Sequence, residues 1–260
     1  MRYALDVQYN GKNYSGSQIQ FENGEEIKEP TIQGEIEKAI STLIIGGRDV
    51  TENKNRQVKT IFSGRTDKGV NALGQVLHFD FDKNIVASDF IYHLNEILPY
   101  DISVNNLRIV SNDFHAQKSA ISRYYRYEFI NRRYKQAFDG DILRVKFSVN
   151  IERMQKALNY LLGEHDFTSF KSSGTLNPSK VCILTRADVE KQGDRVFIHI
   201  EGNRFLYNMV RTIVGTLLEI EGHNLQAEFM KEVLEAKDRR KAGQTVSPYG
   251  LTLVEVKYNT

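Results

Sequence analysis

Residues 58–81 read VKTIFSGRTDKGVNALGQVLHFDF, which is two apolar stretches joined by a turn-rich one. The first stretch, Val58–Phe62, has the composition of a short strand, and 75–81 alternates apolar and polar residues as a half-buried strand does. Between them, 63–74 is rich in glycine and in residues typical of turns. The stretch therefore predicts two neighbouring strands that hold a long loop.

The flanking sequence completes a regular unit around these strands. Before them come an alternating strand over 3–9 and a helix with apolar residues at helical spacing from Ile32 to Ile44, which Gly46 and Gly47 stop. After them come a helix capped by Ser88 and ended by Pro99, and then a strand over 102–110. The resulting order, β-α-β-β-α-β, is typical of a ferredoxin-like unit.

The second half of the chain repeats this order with one additional helix. Its predicted elements are a strand at 123–130, a helix over 154–162 closed by Gly163, strands at 181–190 and 194–201, helices at 205–218 and 226–237, and a last strand at 251–256. We therefore predict an α+β fold of two tandem ferredoxin-like halves with largely antiparallel sheets, residues 1–111 and 112–260.

Composition excludes several classes of protein. With 40% hydrophobic and 26% charged residues, the 260-residue chain resembles an ordinary globular protein. Cys182 is the only cysteine, and the six histidines lack the spacing of a zinc site. Phosphate-binding and nucleophile-elbow motifs are missing, so we predict neither a cofactor nor a metal.

The chain also lacks the segments that would direct it into or across a membrane. No apolar run approaches the roughly 20 residues of a membrane span. The first residues, Met1 to Asp6, lack the apolar core of a signal peptide. We expect a cytoplasmic protein.

The loop after Phe62 is the first candidate for chemistry. It brings Arg65, Thr66 and Asp67 together between glycines that allow a substrate to approach the backbone. A carboxylate there could act as a nucleophile or base if a cation keeps it ionised. An ordinary turn accounts for the same composition, because Asp and Gly are common turn residues.

Interleaved basic and aromatic residues mark a second candidate, residues 122–135. Arginines there could bind phosphates while tyrosine rings stack on unpaired bases. Alternation along a strand would put Tyr124 with Arg126 on one face and Tyr125 with Tyr127 on the other. A strand with a solvated basic face above packed tyrosines explains the pattern equally well.

Arg211 is the third candidate, because it is a charge within a strongly apolar helix. A buried arginine requires a carboxylate partner. An arginine whose stem packs on the helix and whose head reaches solvent is the alternative.

Together these stretches resemble the TruA family of tRNA pseudouridine synthases over essentially the whole chain. The motifs that carry the resemblance, in the family's order, are Tyr9-x-Gly11-x-x-Tyr14-x-Gly16-x-Gln18, Gly64-Arg65-Thr66-Asp67, Asp113-Phe114-His115-Ala116, Arg123-Tyr124-Tyr125-Arg126-Tyr127, Gly163 to Phe170, Phe205 to Gly215, and Gly250-Leu251-x-Leu253.

The resemblance implies that the two halves of the chain surround a central tRNA-binding cleft. It also implies that the protein is a homodimer and needs neither a cofactor nor a metal. It implies isomerisation of flipped-out uridines at tRNA positions 38 to 40, in the anticodon stem–loop. By the resemblance Asp67 is the nucleophile, Tyr125 stacks on the target base and Arg211 pairs with the catalytic carboxylate. Substrate-binding positions are Arg65, which holds the flipped nucleotide, Leu251, an apolar wall of the pocket, and the strand arginines Arg123 and Arg126.

Three residues depart from the family pattern. Ser17 stands where an aromatic residue is usual, and Lys68 and Asn71 replace the common alanine and histidine after the nucleophile. The loops at 21–30 and 47–57 are also longer than usual. These differences bear on which tRNA positions are chosen. A non-catalytic RNA-binding module and a synthase for another structured RNA are the competing hypotheses.

The charge of the chain is unevenly distributed. Lys and Arg number 35 against 33 Asp and Glu, a net charge of +2. Residues 1–121 carry 13 basic and 16 acidic groups, whereas residues 122–260 carry 22 and 17. The second half is therefore the basic one, and we expect it to bind tRNA in a salt-sensitive manner.

Overall fold

The protein is described by a computed structural model that covers residues 1–22, 25–27, 29–45, 58–172 and 179–259. The predicted helix stop at Gly46 and Gly47 and the long loop at 47–57 lie outside these residues. The chain forms two compact units, Met1–Ile121 with Leu253–Thr260, and Ser122–Thr252. Among the described residues, no helix is long and apolar enough to cross a membrane.

The first unit follows the predicted order of elements. Its elements are β1 (Arg2–Tyr9), β2 (Phe21–Glu22), β3 (Glu25–Glu26), α1 (Ile32–Ile45), β4 (Thr60–Phe62), β5 (Asn71–Asp80), α2 (Ala87–Ile97) and β6 (Ile102–Val110). The small hairpin of β2 and β3 was not predicted.

An antiparallel sheet forms the frame of this unit. Strand β1 pairs with β5 on one side and β6 on the other, both antiparallel, with Leu5 opposite Leu77. Strand β4 pairs antiparallel with β5. Leu5 and Leu77 are fully buried, as are Ile36 of α1 and Leu94 of α2, so both helices contribute to the core together with the strands.

The predicted cap of α2 is wrong by two residues. The N-cap is Val86, whose carbonyl accepts from the Phe90 N–H, and it makes no side-chain cap. Ser88 lies inside the first turn, where its hydroxyl donates to Asp89. The helix ends before Pro99 as predicted, with Leu98 extended.

The strands of the second unit are also mostly antiparallel. Its elements are β7 (Ala120–Asn131), which begins at the end of the first unit, β8 (Arg144–Val145), α3 (Ile151–Asn159), β9 (Gly163–Asp166), β10 (Val181–Gln192), β11 (Arg195–Gly202), α4 (Met209–Gly222) and α5 (Phe229–Ala236). Strands β7, β11, β10 and β9 lie side by side in that order and are antiparallel, while β8 runs parallel to β7. The α+β character predicted from the sequence is confirmed in both units.

Two features of this unit differ from the sequence-based expectation. The helix predicted from residue 205 begins at Met209 and continues to Gly222, because Asn208 has a left-handed backbone (φ +61°) that separates Phe205 and Leu206 from the helix. The last strand, β12 (Leu251–Tyr258), returns to the first unit from Leu253 onward and lies beside β5 there.

Candidate active site

The loop that carries Asp67 is closed at its base by a buried polar network. Ser63 donates its backbone N–H to the Val76 carbonyl (2.7 Å) and its hydroxyl to the Gln75 side-chain oxygen (2.5 Å). The amide nitrogen of Gln75 donates in turn to the Gly64 carbonyl (3.0 Å). Ser63 and Gln75 are fully buried, so the two strands that flank the loop are tied together where it begins.

Thr66, immediately before Asp67, is fixed by further hydrogen bonds to Ser17 and Tyr9. Its N–H donates to the Ser17 hydroxyl oxygen (2.8 Å), and its carbonyl accepts from the Ser17 N–H (3.0 Å). Its hydroxyl lies 2.8 Å from the Tyr9 hydroxyl. Burial raises the pKa of Tyr9 to about 12, so this phenol stays neutral and able to donate at physiological pH.

Asp67 itself is half-buried, and Arg65 is exposed. The backbone of Asp67 forms an isolated antiparallel bridge with Gly16. Gly16 has φ +130°, and a Cβ there would lie 3.0 Å from the Thr66 carbonyl oxygen, so only glycine suits this approach. The segment 15–17 thus forms the surface against which the Asp67 loop lies.

The other two departures from the family pattern also contact the early part of the chain. The Asn71 side-chain oxygen accepts from the Gly11 N–H (2.9 Å). The Lys68 ammonium lies 3.8 Å from the Glu29 carboxylate, and both side chains are more than half exposed. Lys68, which directly follows Asp67, therefore has an acidic neighbour of its own.

In the second unit, Tyr125 of β7 lies opposite Ile200 of the neighbouring strand β11. Its ring meets Phe205 edge to face, with centroids 5.0 Å apart and planes at 80°. Arg123, two residues earlier on the strand, donates to the Asn203 carbonyl (2.9 Å). Arg123 and Tyr125 therefore both contact the 203–205 turn that precedes α4.

Tyr124 and Arg126 lie on the other face of β7, as alternation predicted. The Arg126 guanidinium lies 5.4 Å from the centre of the Phe197 ring, and that of Arg186 lies 4.9 Å from the Tyr124 ring. The Tyr124 hydroxyl is 2.6 Å from Nδ1 of His199. On this face the cations and rings contact one another, and Arg126 is separated by the sheet from Tyr125.

Arg211 is half-buried in the first turn of α4, where two oxygens orient it. Its Nε donates to the Val246 carbonyl and one terminal nitrogen donates to the Asn208 side-chain oxygen, both at 2.8 Å. Asn208 is the residue with the left-handed backbone that begins the helix. The side chain of Arg211 is thus fixed by the helix start and by the 243–246 segment.

That segment lies unusually close to α4. A Cβ on Gly215 would be 1.7 Å from the Gln244 carbonyl oxygen, and one on Gly243 would be 2.5 Å from the Gly215 carbonyl oxygen. The hydroxyls of Thr212 and Thr245 lie 3.1 Å apart. Leu251, the first residue of β12, follows soon after and is 6% exposed.

The predicted site residues are thus distributed over both units: Asp67 and Arg65 in the first, and Arg123, Tyr125, Arg126, Arg211 and Leu251 in the second. Sequence reasoning missed Tyr9, Ser17 and Asn208, whose contacts orient Thr66 and Arg211. Tyr9 belongs to a motif recognised in the sequence and Ser17 was noted as a departure, yet neither signal indicated a bond to Thr66. In the described ranges, no group of three or more His, Cys, Asp or Glu side chains could hold a metal ion.

Comparison with known proteins indicates the class of protein that this chain resembles. The profile of a family described as tRNA pseudouridine synthase matches residues 157–259, which include Arg211 and Leu251.

Full-length relatives narrow the class to one family. Proteins named tRNA pseudouridine synthase A are similar to this chain in Brevibacillus brevis (41% identity over 96% of each chain), Colwellia psychrerythraea (38%, over 99% of this chain and 94% of the relative) and Bacillus subtilis (37%, over 100% of both). The chain belongs to the tRNA pseudouridine synthase A (TruA) family and is an isomerase that acts on tRNA.

Proposed function

We propose that this enzyme converts uridine to pseudouridine at positions 38 to 40 of tRNA, in the anticodon stem–loop, and that Asp67 is its nucleophile. Asp67 and its loop supply the observation that carries the proposal. A half-buried carboxylate follows Thr66, whose backbone and hydroxyl are all hydrogen-bonded, on a loop tied at its base. Such fixing suits a group that must meet one carbon atom of its substrate.

The reaction exchanges one bond to the ribose for another. The bond between uracil N1 and ribose C1′ breaks, the base turns, and a bond from uracil C5 to C1′ forms. The C5 proton leaves and N1 gains a proton, so no electrons are gained or lost overall. Asp67 can attack either C1′ or uracil C6 first, and both routes require an ionised carboxylate. We assign Arg211 as the cation that keeps it ionised.

Tyr125 is assigned to the target base. A stacked uridine must leave the helix before its glycosidic bond can be reached, which costs a few kcal/mol. Stacking on an aromatic ring returns about 1–3 kcal/mol. The contact with Phe205 supports this role, because it holds the Tyr125 ring in a fixed orientation next to the 203–205 turn.

The remaining assignments concern the surroundings of the nucleotide. Arg65 holds the flipped nucleotide, Leu251 forms an apolar wall, and Arg123 and Arg126 bind the RNA backbone. Exposure supports the assignment of Arg65, and burial that of Leu251. The basic excess of residues 122–260 supports tRNA binding by the second half.

We further propose that each chain consists of two ferredoxin-like halves, divided near residues 111–121. We also propose that the enzyme is a cytoplasmic homodimer and needs no cofactor. The order β6-β1-β5, with β4 also on β5 and all pairs antiparallel, supports a ferredoxin-like first half. The Asp67 loop belongs to this half, and the second half contributes Tyr125 and Arg211.

Tritium release from tRNA transcripts labelled at C5 of uridine tests the activity. We expect release in EDTA, without added metal, and loss of release in Asp67→Ala. Asp82→Ala is the matched control, because Asp82 is an exposed turn aspartate outside the loop and its loss should leave the rate unchanged. Full activity in Asp67→Ala would refute the nucleophile assignment.

Mapping the modified positions over a panel of tRNAs tests the substrate. Modification confined to positions 38 to 40 supports the proposal, and modification elsewhere, or only in another structured RNA, contradicts it. Tight tRNA binding without any tritium release would favour the binding-module hypothesis.

A further inference from the structure

We propose that Ser17 is a positioning residue for catalysis, which holds the Asp67 loop in its reactive position through Thr66. The inference rests on the proposed role of Asp67. Ser17 does not itself contact the reacting atoms in this proposal. It acts through hydrogen bonds to the peptide groups on either side of Thr66, and one of these peptide groups joins Thr66 to Asp67.

These bonds are buried. Ser17 is 0% exposed and Thr66 3%, so water cannot replace them. The Ser17 hydroxyl oxygen accepts from the Thr66 N–H at 2.8 Å, and both the Ser17 N–H (3.0 Å) and the Ser17 hydroxyl (3.4 Å) donate to the Thr66 carbonyl. The carbonyl in question belongs to the peptide bond between Thr66 and Asp67. A single residue therefore fixes both ends of the residue that precedes the nucleophile.

Ser17 is itself anchored to a rigid element. Its carbonyl accepts from the Gln33 N–H (2.9 Å) in the first turn of α1, and the Gly16 carbonyl accepts from the Ile32 N–H (3.3 Å). Ile32 and Ile36 of this helix are fully buried. Ser17 thus connects the Asp67 loop to a packed helix.

Tyr9 completes the arrangement from the sheet. Its hydroxyl lies 2.8 Å from the Thr66 hydroxyl and accepts from the Gln75 side chain at 3.4 Å. Tyr9 is 5% exposed and ends β1. It restrains the side chain of Thr66, whereas Ser17 restrains the backbone.

The chain contains a matched control for Ser17. Ser41 is also 0% exposed, lies in the same unit, and accepts from a backbone N–H, that of Val58, at 2.8 Å. Its hydrogen bond holds Val58, just before β4, and does not involve Thr66. Ser17→Ala and Ser41→Ala therefore remove the same kind of hydrogen bond, one from the Asp67 loop and one from elsewhere.

Single-turnover kinetics and tRNA binding separate positioning from general stability. We expect Ser17→Ala to lower the single-turnover rate constant about 10- to 100-fold, the effect of displacing a reacting group by up to ~1 Å. Its dissociation constant for tRNA should stay within about twofold, since the change lies beneath the loop. Ser41→Ala should lose comparable thermal stability and keep the wild-type rate constant. Tyr9→Phe should show a smaller fall in rate constant, with unchanged tRNA binding.

Three results would overturn the inference. One is a wild-type rate constant in Ser17→Ala, and another is an equal fall in rate constant in Ser41→Ala. If Ser17→Ala does not fold, Tyr9→Phe decides, and a wild-type rate constant in that variant overturns the inference. Asp67→Ala, assayed in parallel, keeps the two proposals apart. Activity in Asp67→Ala refutes the proposed nucleophile, whereas an inactive Asp67→Ala beside a fully active Ser17→Ala refutes only the role of Ser17.

Discussion

Gly215→Ala tests how the second unit orients Arg211. An alanine Cβ at this position would lie 1.7 Å from the Gln244 carbonyl oxygen, whereas ordinary contact begins at 3.4 Å. The obstacle is backbone, so the 243–246 segment must retreat by about 1.7 Å. Overpacking of this kind costs about 3 kcal/mol, and the better helix propensity of alanine returns about 1 kcal/mol. We expect a net loss of about 2 kcal/mol, or a Tm lower by about 4–8 °C.

The displacement should also reach Arg211, because Val246 follows Gln244 by two residues and its carbonyl accepts from the Arg211 Nε. We therefore expect a lower kcat for pseudouridine formation together with the lower Tm, measured by circular dichroism and tritium release. Gly222→Ala is the control on the same helix. Its Cβ would meet the Phe147 ring at 3.4 Å, so its Tm should be unchanged or slightly higher. Equal Tm values for Gly215→Ala and the wild type would refute the reasoning.

Two further predictions concern stability. Arg153→Leu should cost about 3 kcal/mol in urea unfolding, because Glu221, whose carboxylate is 0% exposed, would keep only its bond from the Asn150 N–H. Arg240→Leu, which removes a surface pair with an 89% exposed arginine, should leave stability unchanged, and equal losses in both variants would contradict the assignment. Burial, aided by the charges of Arg2 and His115, lowers the pKa of His78 to about 4, so the folded state binds a proton less readily than the unfolded state. Stability should therefore be complete above about pH 6.5 and fall as the pH drops toward 4, by up to about 1.4 kcal/mol per pH unit, and His78→Gln should flatten this profile. An unchanged slope in that variant would show that other groups cause the pH dependence.

Periodicity predicted the strands well where each strand buries one of its faces. The strand predicted at 102–110 is β6 (Ile102–Val110), and the strand predicted at 3–9 is β1 to within a residue. The two faces of β7 were also correctly predicted, with Tyr127 fully buried. In these cases the alternation of apolar and polar residues reflects which side chains of the strand are buried in the core.

Helix boundaries were less predictable, because backbone conformation decided them. Phe205 and Leu206 continue the apolar pattern of α4, yet the left-handed backbone of Asn208 starts the helix only at Met209. Asparagine adopts that conformation more readily than most residues, but nothing in the pattern requires it at this position.

The sequence predicted the residues of the candidate site but not the hydrogen bonds and close contacts that hold them in position. The Asp67 loop is evident from composition and from the resemblance, whereas the bond between Ser17 and Thr66 joins residues 49 positions apart. Local patterns carry no information on which distant backbone groups pair. The close approach of Gly215 to Gln244 was hidden for the same reason, since a glycine in a helix has several explanations.

The return of β12 has a consequence for biosynthesis. Residues 253–260 belong to the first unit, where the Tyr258 hydroxyl donates to the Ala116 carbonyl (2.7 Å) and its ring packs on Phe114. A nascent chain translated as far as Ile121 therefore lacks one strand of the unit that contains Asp67. That unit keeps an unpaired edge until the second unit and then β12 have emerged from the ribosome, so the Asp67 loop gains its complete scaffold only after β12 has been translated.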